Sequence, residues 1–165
     1  MAAQLTIEKW VLVHRLHHKY ADTDADPHNS RRGLFFTHIG WLLIKKHKDV
    51  SEKVKTIDIS DIRSNPVVMF QKKYAHYLFS SLCIILPTVT PMYFWSETFT
   101  NAYHIAILRF CLGLHLVFIG NSLGHSSWGY RPYDDKVKAT QSFILNICTC
   151  GEGNHNFHHV FPSDY

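Results

Sequence analysis

The mixed pattern of apolar and polar positions gives way to long apolar stretches between residues 75 and 124. The stretch from Ala75 to Trp95 contains 21 residues and no formal charge. A membrane-spanning helix needs about 20 mainly apolar residues, so this stretch predicts one. The alternative is a buried helix of a soluble protein, but Pro87 and Pro91 would break such a helix, whereas membrane helices tolerate proline better.

A second apolar stretch runs from Tyr103 to Gly124, after a polar segment at residues 96–102 that we expect to form a short acidic turn. His104, Arg109 and His115 interrupt this stretch. Ionisable groups within a span are costly and usually face protein or water. For both histidines we therefore favour polar contacts between helices over metal binding.

The two stretches predict a transmembrane hairpin at about residues 75–124. The turn that joins them contains no Lys or Arg, whereas basic residues lie on both sides of the hairpin. Because basic residues stay on the cytoplasmic side of a membrane, residues 1–74 and 125–165 are both expected to be cytosolic. We therefore predict an all-α integral membrane protein with one partial domain over residues 1–165.

Shorter helices are predicted before the hairpin. Residues 34–48 are apolar and then basic, which favours a helix with Lys45, Lys46 and Lys48 in its last turns. Residues 67–74 favour another helix, which leads directly into the first apolar stretch.

The composition narrows the function. A formal net charge of +4 is well short of what a nucleic-acid-binding surface carries, so we expect no nucleic-acid partner. Four cysteines exclude a disulfide-dense secreted scaffold, and residues 1–10 do not have the pattern of a cleavable signal peptide. The unusual number is 13 histidines, because histidine is the commonest metal ligand.

Seven of these histidines are candidate metal ligands because of their spacing. The segments HRLHH and HNFHH each place histidines at positions i, i+3 and i+4, which share one helical face. Two motifs with the same spacing, and one further candidate between them, His125, favour a metal site over unrelated surface histidines. The candidates are His14, His17, His18, His125, His155, His158 and His159.

Six or seven imidazoles exceed what one tetrahedral zinc ion can use, and they suit two ions of higher coordination number. Imidazole binds zinc, copper, iron and nickel alike, so the ligand type does not choose the metal. Glu152 lies near the second motif, either as a partner that orients an imidazole or as a negative charge at a helix N-terminus. His28, in the segment Asp26-Pro27-His28-Asn29, is interpreted as part of a turn.

A basic group lies near the first histidine motif in the sequence. Its members are Arg31, Arg32, Lys45 and Lys46. Two interpretations stay open, a surface that faces lipid headgroups and a site for a phosphorylated substrate.

The motifs and their surroundings resemble the membrane-bound fatty acyl-CoA desaturases of the stearoyl-CoA Δ9 type, especially those of animals and insects. The likeness covers about residues 10–165 and includes HRLHHKYADTDADPHNSRRG, FFTHIGWLLIKKH, GNSLGHSSWGYRPYD and GEGNHNFHHVFPSDY. It implies an enzyme of the endoplasmic reticulum membrane with four membrane helices and a cytosolic cap that holds two iron ions. Such an enzyme uses a fatty acyl-CoA, molecular oxygen and electrons from cytochrome b5, and it removes two hydrogens from the saturated acyl chain.

The resemblance also implies roles for individual residues. The seven histidines match the second and third histidine motifs of the family and the isolated ligand between them. Asn121 matches a residue that reaches iron through water. Lys45 and Lys46 match a basic pair that contacts the CoA moiety, and Trp10 matches a residue that lines the acyl tunnel.

The sequence departs from the family pattern in two places. The family's first motif is His, four residues, then His, but no histidine in this sequence has another five positions later. Leu12-Val13 stands where the family has an Arg-Asp pair. We therefore expect a fragment or truncated form of an acyl-CoA desaturase, and the alternative is a catalytically inactive membrane protein that binds a metal or a partner.

Overall fold

A computed structural model describes residues 5–149 and 151–164. Helices are its regular elements, as the all-α prediction requires, and extended pairing in these residues is limited to two isolated bridges, Tyr130–Gln141 and Gln141–Asn154. The α-helices are α1 (Ile7–Tyr20), α2 (Trp41–Leu43), α3 (Lys48–Lys53), α4 (Ser60–Ser64), α5 (Pro66–Lys73), α6 (Ala75–Phe79), α7 (Leu86–Trp95), α8 (Phe99–Leu123), α9 (Phe143–Thr149) and α10 (His155–Val160). Ser30–Arg32 and Val54–Thr56 are 3₁₀ turns, and Phe36–Gly40 and Ser80–Ile85 are π-helical.

These elements form two compact units. The span unit comprises the described residues up to Val11 together with Asp58–Leu114. The histidine unit comprises Leu12–Ile57 together with the described residues from His115 onward. Helices α1 and α8 each contribute residues to both units.

In the span unit, the second short helix predicted from the sequence is confirmed as α5. Asn65 caps this helix by accepting hydrogen bonds from two backbone amides, and Pro66 occupies the first turn, where its missing amide hydrogen costs nothing. The buried carboxylate of Glu8 on α1 pairs with Arg63 of α4 at 2.9 Å and with Lys72 of α5 at 2.6 Å. These contacts tie the beginning of α1 to the two helices that precede the first apolar stretch.

The first apolar stretch is helical from Ala75 to Trp95, as predicted, and Pro87 does not break it. Proline lacks the amide hydrogen that would reach the carbonyl of Cys83 four residues earlier. The helix widens into the π-helical turn Ser80–Ile85 just before the proline, a common response to a disturbed hydrogen-bond ladder. Arg109 of α8 supplies a side-chain donor at this point, because its Nη2 donates to the carbonyl oxygen of Cys83 over 2.8 Å.

Both apolar helices are long and apolar enough to cross a membrane. Only 11% of the apolar window in the first helix and 17% of that in α8 is buried within the structure. The core helix of a soluble protein would be mostly buried, so this exposure favours the membrane interpretation. The connecting turn is shorter than predicted, because Ser96 takes a left-handed conformation (φ 54°) and α8 already begins at Phe99.

In the histidine unit, the helix predicted for residues 34–48 is shorter than expected. Helix α2 ends before Ile44, whose backbone is extended (φ −122°, ψ 162°). A new helix, α3, begins after His47, whose side chain caps it by accepting a backbone amide. Lys45 and Lys46 therefore lie in the connection between two helices, and their predicted place in a last helical turn was wrong.

The segment between α8 and α10 is organised around the side chain of Asn156, which is fully buried. Its carboxamide accepts hydrogen bonds from two backbone amides and donates to two backbone carbonyls of residues 133–139. Gly124 has no room for a side chain, because an added Cβ would lie 2.2 Å from the carbonyl oxygen of Gly120 and 2.7 Å from the ring of His155. This packing brings α10 close to the end of α8.

The two histidines within α8 make different contacts. His115 Nδ1 lies 2.9 Å from Nε2 of His38, and the two rings stack. This pair confirms the predicted polar contact between elements. His104 Nδ1 lies 2.7 Å from the carbonyl oxygen of Thr100, which is a contact within one helix rather than between two.

Candidate metal centre

The seven candidate histidines lie on three elements of the histidine unit. Helix α1 carries the first motif, helix α10 carries the second, and His125 lies in the turn that follows α8. The structure brings all seven imidazoles together in two neighbouring clusters.

The four-histidine cluster consists of His17, His125, His155 and His159. His17 Nε2 lies 3.1 Å from Nε2 of His125 and 3.2 Å from Nε2 of His159. His155 Nε2 lies 3.0 Å from Nε2 of His125 and 3.2 Å from Nε2 of His159. The four Nε2 atoms therefore face one another around a common centre.

The three-histidine cluster consists of His14, His18 and His158, all half-buried. Their Nε2 atoms lie 2.9 to 3.1 Å apart in all three pairs. The two clusters adjoin each other, because the ring of His18 stacks on that of His159 with 4.3 Å between the centroids.

Each sequence motif divides between the two clusters in the same way. On α1, His14 and His18 enter the three-histidine cluster while His17 enters the other. On α10, His155 and His159 enter the four-histidine cluster while His158 enters the other. Residues four apart lie nearly above one another on a helix, so each i, i+4 pair reaches one centre and the residue between them reaches its neighbour.

Burial lowers the pKa of six of these imidazoles, those of His14, His17, His18, His155, His158 and His159. The pKa of His14 is lowered to about 4 by burial and then by the neighbouring His158. Burial and the adjacent imidazoles lower the pKa of His18 to about 3. Burial, followed by the other imidazoles, also holds the pKa values well below the ordinary one at His17, His155 and His159. At neutral pH these rings therefore offer lone pairs and no positive charge.

Two buried aspartates of the loop after α1 contact the four-histidine cluster, and the sequence analysis missed both. Both carboxylate oxygens of Asp26 lie 3.0 Å from Nδ1 of His17. Asp22 Oδ2 lies 3.4 Å from Nδ1 of His125. The available sequence signal was the three aspartates Asp22, Asp24 and Asp26 a few residues after a histidine motif, in a segment whose composition predicts a turn.

The turn interpretation of this loop is nevertheless confirmed. Asn29 caps the 3₁₀ turn Ser30–Arg32 by accepting the backbone amide of Arg31. His28 is buried, and its ring packs against that of Trp41 with 5.5 Å between the centroids.

The geometry of both clusters fits metal ions. Since His17 Nδ1 donates to Asp26, its Nε2 carries a lone pair, and that lone pair faces His125 Nε2 at 3.1 Å. A cation between such nitrogens removes their repulsion. Metal–nitrogen bonds of about 2.1 Å place neighbouring nitrogens of an octahedral site ~3.0 Å apart, and the observed separations are 2.9 to 3.2 Å. The donors are all imidazole nitrogens, which bind several divalent transition metals.

The remaining predicted site residues lie at varied positions. Asn121 is half-buried in the last turn of α8, four residues before His125. Glu152 is exposed, and its negative charge partly opposes the burial that lowers the pKa of His158. Trp10 is on α1, belongs to the span unit and is 41% exposed.

A surface depression with about 320 Å³ of empty space, part of it open solvent, lies in the histidine unit. Lys45, Lys46 and Arg32 supply positive charge to its lining, and Phe36 and Trp41 supply aromatic surface. The structure thus brings three of the four members of the predicted basic group to one depression. Asp26 also lines it, so the cavity adjoins the loop that contacts the four-histidine cluster.

A sequence model of the family described as fatty acid desaturase matches residues 1–164. The chain belongs to the fatty acid desaturase family. It is 54% identical over 165 residues to an acyl-CoA Δ11 desaturase of Spodoptera littoralis, covering 100% of this chain and 48% of the relative. It is 56% identical over 165 residues to an (11Z)-hexadec-11-enoyl-CoA conjugase of Bombyx mori, covering 100% and 50%. It is 48% identical over 166 residues to a stearoyl-CoA desaturase of Bos taurus, covering 100% and 46%.

Membership of the fatty acid desaturase family, predicted from the motifs, is thereby confirmed. The chain spans about half the length of the curated relatives it matches. A further relative, from Acheta domesticus, is named as an acyl-CoA Δ12-desaturase and is 45% identical. Because relatives named for Δ11 and Δ12 desaturation match as well as a stearoyl-CoA desaturase, these likenesses do not single out the Δ9 type.

Proposed function

We propose that this chain supplies part of the catalytic centre of an acyl-CoA desaturase, which uses O₂ to insert a cis double bond into a saturated fatty acyl-CoA. The observation that carries the proposal is the convergence of seven imidazoles into two clusters of metal-ligand spacing. Membership of the fatty acid desaturase family and the names of the relatives support it.

In this proposal each cluster holds one iron ion. Iron supplies the redox chemistry with O₂ that unactivated C–H bonds require. The balanced reaction removes two hydrogens from the acyl chain, and O₂ takes up these hydrogens, two electrons and two protons to give two molecules of water. We propose cytochrome b5 as the electron donor, and Asn121 as a residue that reaches one ion through a water molecule.

The protein's own contribution is position and exclusion of water. Helices α1 and α10 hold six of the imidazoles at fixed separations, and preorganised geometry of this kind lowers the entropic cost of reaction. Burial of His17, His125 and His155 keeps bulk water from the four-histidine cluster.

The cavity lined by Lys45 and Lys46 is the proposed site of the CoA phosphates. Lysine binds phosphate as a point charge, and Arg32 adds a planar donor group on the same lining. Trp10 is the proposed contact of the acyl chain. The competing interpretation, a surface for lipid headgroups, predicts that a Lys45→Ala/Lys46→Ala variant changes membrane association and leaves the KM for acyl-CoA unchanged.

We further propose that the protein resides in the endoplasmic reticulum membrane as a multi-pass protein with its histidines on the cytosolic side. The two apolar helices and the basic residues that flank them support this orientation. Protease protection of tags in sealed microsomes would test it.

The deciding experiment combines metal content with turnover. The chain is expressed in desaturase-deficient cells, labelled unsaturated products are measured, and iron per chain is determined for the protein purified in detergent. Iron binding together with O₂-dependent product formation supports the proposal. Iron binding without turnover supports the alternative, a catalytically inactive metal-binding membrane protein, and absence of iron affinity overturns the metal centre.

A further inference from the structure

The loop after α1 contains two buried carboxylates that contact ring nitrogens on the far side of the four-histidine cluster. We propose that Asp26 and Asp22 are positioning residues that hold His17 and His125 with their Nε2 lone pairs directed at one metal ion. The inference rests on the proposed metal centre and deepens it, because it says what fixes two of its ligands.

Two backbone amides fix the position of the Asp26 carboxylate. Its side chain is fully buried. Oδ2 accepts the backbone amide of Asp22 at 2.8 Å, and Oδ1 accepts the backbone amide of His28 at 3.1 Å. The two amides fix the carboxylate, whose oxygens then both lie 3.0 Å from His17 Nδ1. His28 Nδ1 is more distant, at 3.6 Å, so His17 is the preferred imidazole partner.

Asp22 links the two carboxylates. Its backbone amide donates to Asp26 while its own carboxylate lies 3.4 Å from His125 Nδ1. Its carboxylate also accepts a hydrogen bond from the hydroxyl of Ser30. The backbone of Asp22 is left-handed (φ 61°), a conformation that Asp and Asn adopt more readily than most residues. A single turn of the loop thus places one carboxylate next to each of the two imidazoles.

The chemical consequence concerns the tautomer. A carboxylate only accepts hydrogen bonds, so Nδ1 of His17 carries the hydrogen and its Nε2 is left as a lone pair. At His125, the Asp22 carboxylate lies 3.4 Å from Nδ1 without a hydrogen bond, and its negative charge favours the same tautomer. The negative charge also makes the imidazole a stronger donor to a metal, and loss of such a partner typically lowers metal affinity 10–100-fold. Both imidazoles held in this way belong to the four-histidine cluster, so the effect should be confined to one of the two ions.

The test uses Co²⁺ as the probe, titrated into the full chain in detergent and followed by its visible ligand-field absorption. Asp26→Asn and Asp22→Asn each keep the side-chain size and remove the charge. Asp135→Asn is the matched control, because it makes the same change on an exposed side chain of the histidine unit, outside the candidate metal groups of the described residues. Asn is well suited to the left-handed backbone at position 22, so Asp22→Asn keeps the test usable if Asp26→Asn fails to fold.

We expect wild type and Asp135→Asn to bind two Co²⁺ ions per chain at the histidine clusters. Asp26→Asn and Asp22→Asn should bind one of these about 10–100-fold more weakly, with shifted ligand-field bands for that ion and unchanged bands for the other. Wild-type affinity and spectra in both variants would overturn the positioning role and leave the metal centre intact, as would equal weakening in Asp135→Asn. Absence of Co²⁺ binding in the wild type would instead overturn the metal centre itself.

Discussion

The apolar hairpin and the histidine clusters both hold polar groups in poorly hydrated surroundings, but their hydrogen-bond balance differs. In the hairpin, the guanidinium of Arg109 donates to the carbonyl oxygen of Cys83, so a donor meets an acceptor. In the clusters, imidazole Nε2 atoms face other imidazole Nε2 atoms at 2.9 to 3.2 Å. The hydrogen bond in the hairpin pairs a donor with an acceptor. The facing Nε2 atoms of the clusters would be satisfied together by a bound cation.

The pair of His38 and His115 shows that histidines in contact do not by themselves indicate a metal site. The hydroxyl of Ser122 donates to the carbonyl oxygen of Phe118 at 2.9 Å and lies 3.0 Å from His38 Nδ1. His38 Nδ1 can therefore donate to that hydroxyl, and His38 Nε2 can accept from His115 Nδ1 at 2.9 Å. Both nitrogens of His38, Nδ1 of His115 and the hydroxyl of Ser122 thus each find a matching donor or acceptor, as in the hairpin.

The largest expected effect follows from removing a ligand of the four-histidine cluster. His159→Ala should weaken binding of one ion by more than about 100-fold, because losing a ligand costs more than losing a partner of a ligand. His158→Ala should weaken the other ion instead. Iron per chain and Co²⁺ titration measure both effects.

The matched control for these substitutions is His76→Ala, which removes an exposed imidazole at the start of the first apolar helix. It should leave both ions bound. If His159→Ala and His158→Ala weakened the same ion, the division into two clusters would be contradicted.

A second prediction concerns acid. Ordinary histidine has a pKa of 6.5, and in the folded metal-free protein the pKa is about 4 for His14 and about 3 for His18. At a pH between the ordinary value and these lowered values, the unfolded chain binds more protons than the folded one. The free energy of unfolding therefore falls as the pH falls below about 6.5. Asp26 acts in the opposite direction, since burial raises its pKa from 3.8 to about 6, but it is one group against several.

Thermal midpoints of the metal-free protein at pH 7.5, 6.5 and 5.5 measure this dependence. We expect a progressive decrease toward pH 5.5, and a shallower one in a His14→Gln/His18→Gln variant, which lacks two of the titrating groups. A midpoint that is level or rises on acidification would show that the clusters are not held neutral by burial.

The sequence predicted the elements that follow from periodicity and composition. The first apolar helix has the predicted bounds, because 21 uncharged residues leave little choice of where it begins and ends. The spacing of HRLHH and HNFHH correctly indicated that each set of histidines shares a helical face. The same spacing, read more closely, could also have predicted the division of each motif, since i and i+4 point to one centre and i+3 to the next.

What the sequence did not predict depends on contacts between distant or folded-back segments. The role of Asp26 requires the loop to return to α1 nine residues later, and a turn composition indicates the bend without its direction. The partner of Arg109 is a backbone carbonyl 26 residues away, which sequence periodicity does not indicate. The helix over residues 34–48 was predicted too long because a histidine cap, rather than a proline or glycine, begins the next helix.

A third prediction compares Gly124, in the turn that carries His125, with Gly113 of α8. At Gly124 an added Cβ would lie 2.2 Å from a backbone oxygen and 2.7 Å from His155, so Gly124→Ala should destabilise the protein by about 1–3 kcal/mol and displace that ligand. At Gly113 nothing lies within 4 Å, so Gly113→Ala should be neutral or stabilise by about 0.5–1 kcal/mol through helix propensity. Thermal unfolding in detergent and metal content test the pair, and equal effects would contradict it.

The smallest expected effect tests the hairpin side of the comparison. Arg109→Leu removes the guanidinium hydrogen bond to the carbonyl of Cys83, which should cost about 1 kcal/mol and leave both metal ions bound. In a Pro87→Ala background the restored backbone amide can serve that carbonyl, so Arg109→Leu should cost less there. A double-mutant cycle on thermal stability measures this coupling, which we expect to be about 1 kcal/mol. Independent effects of the two substitutions would mean that the arginine does not replace the donor that proline removes, and a loss of metal would mean that hairpin and clusters are not separable in this way.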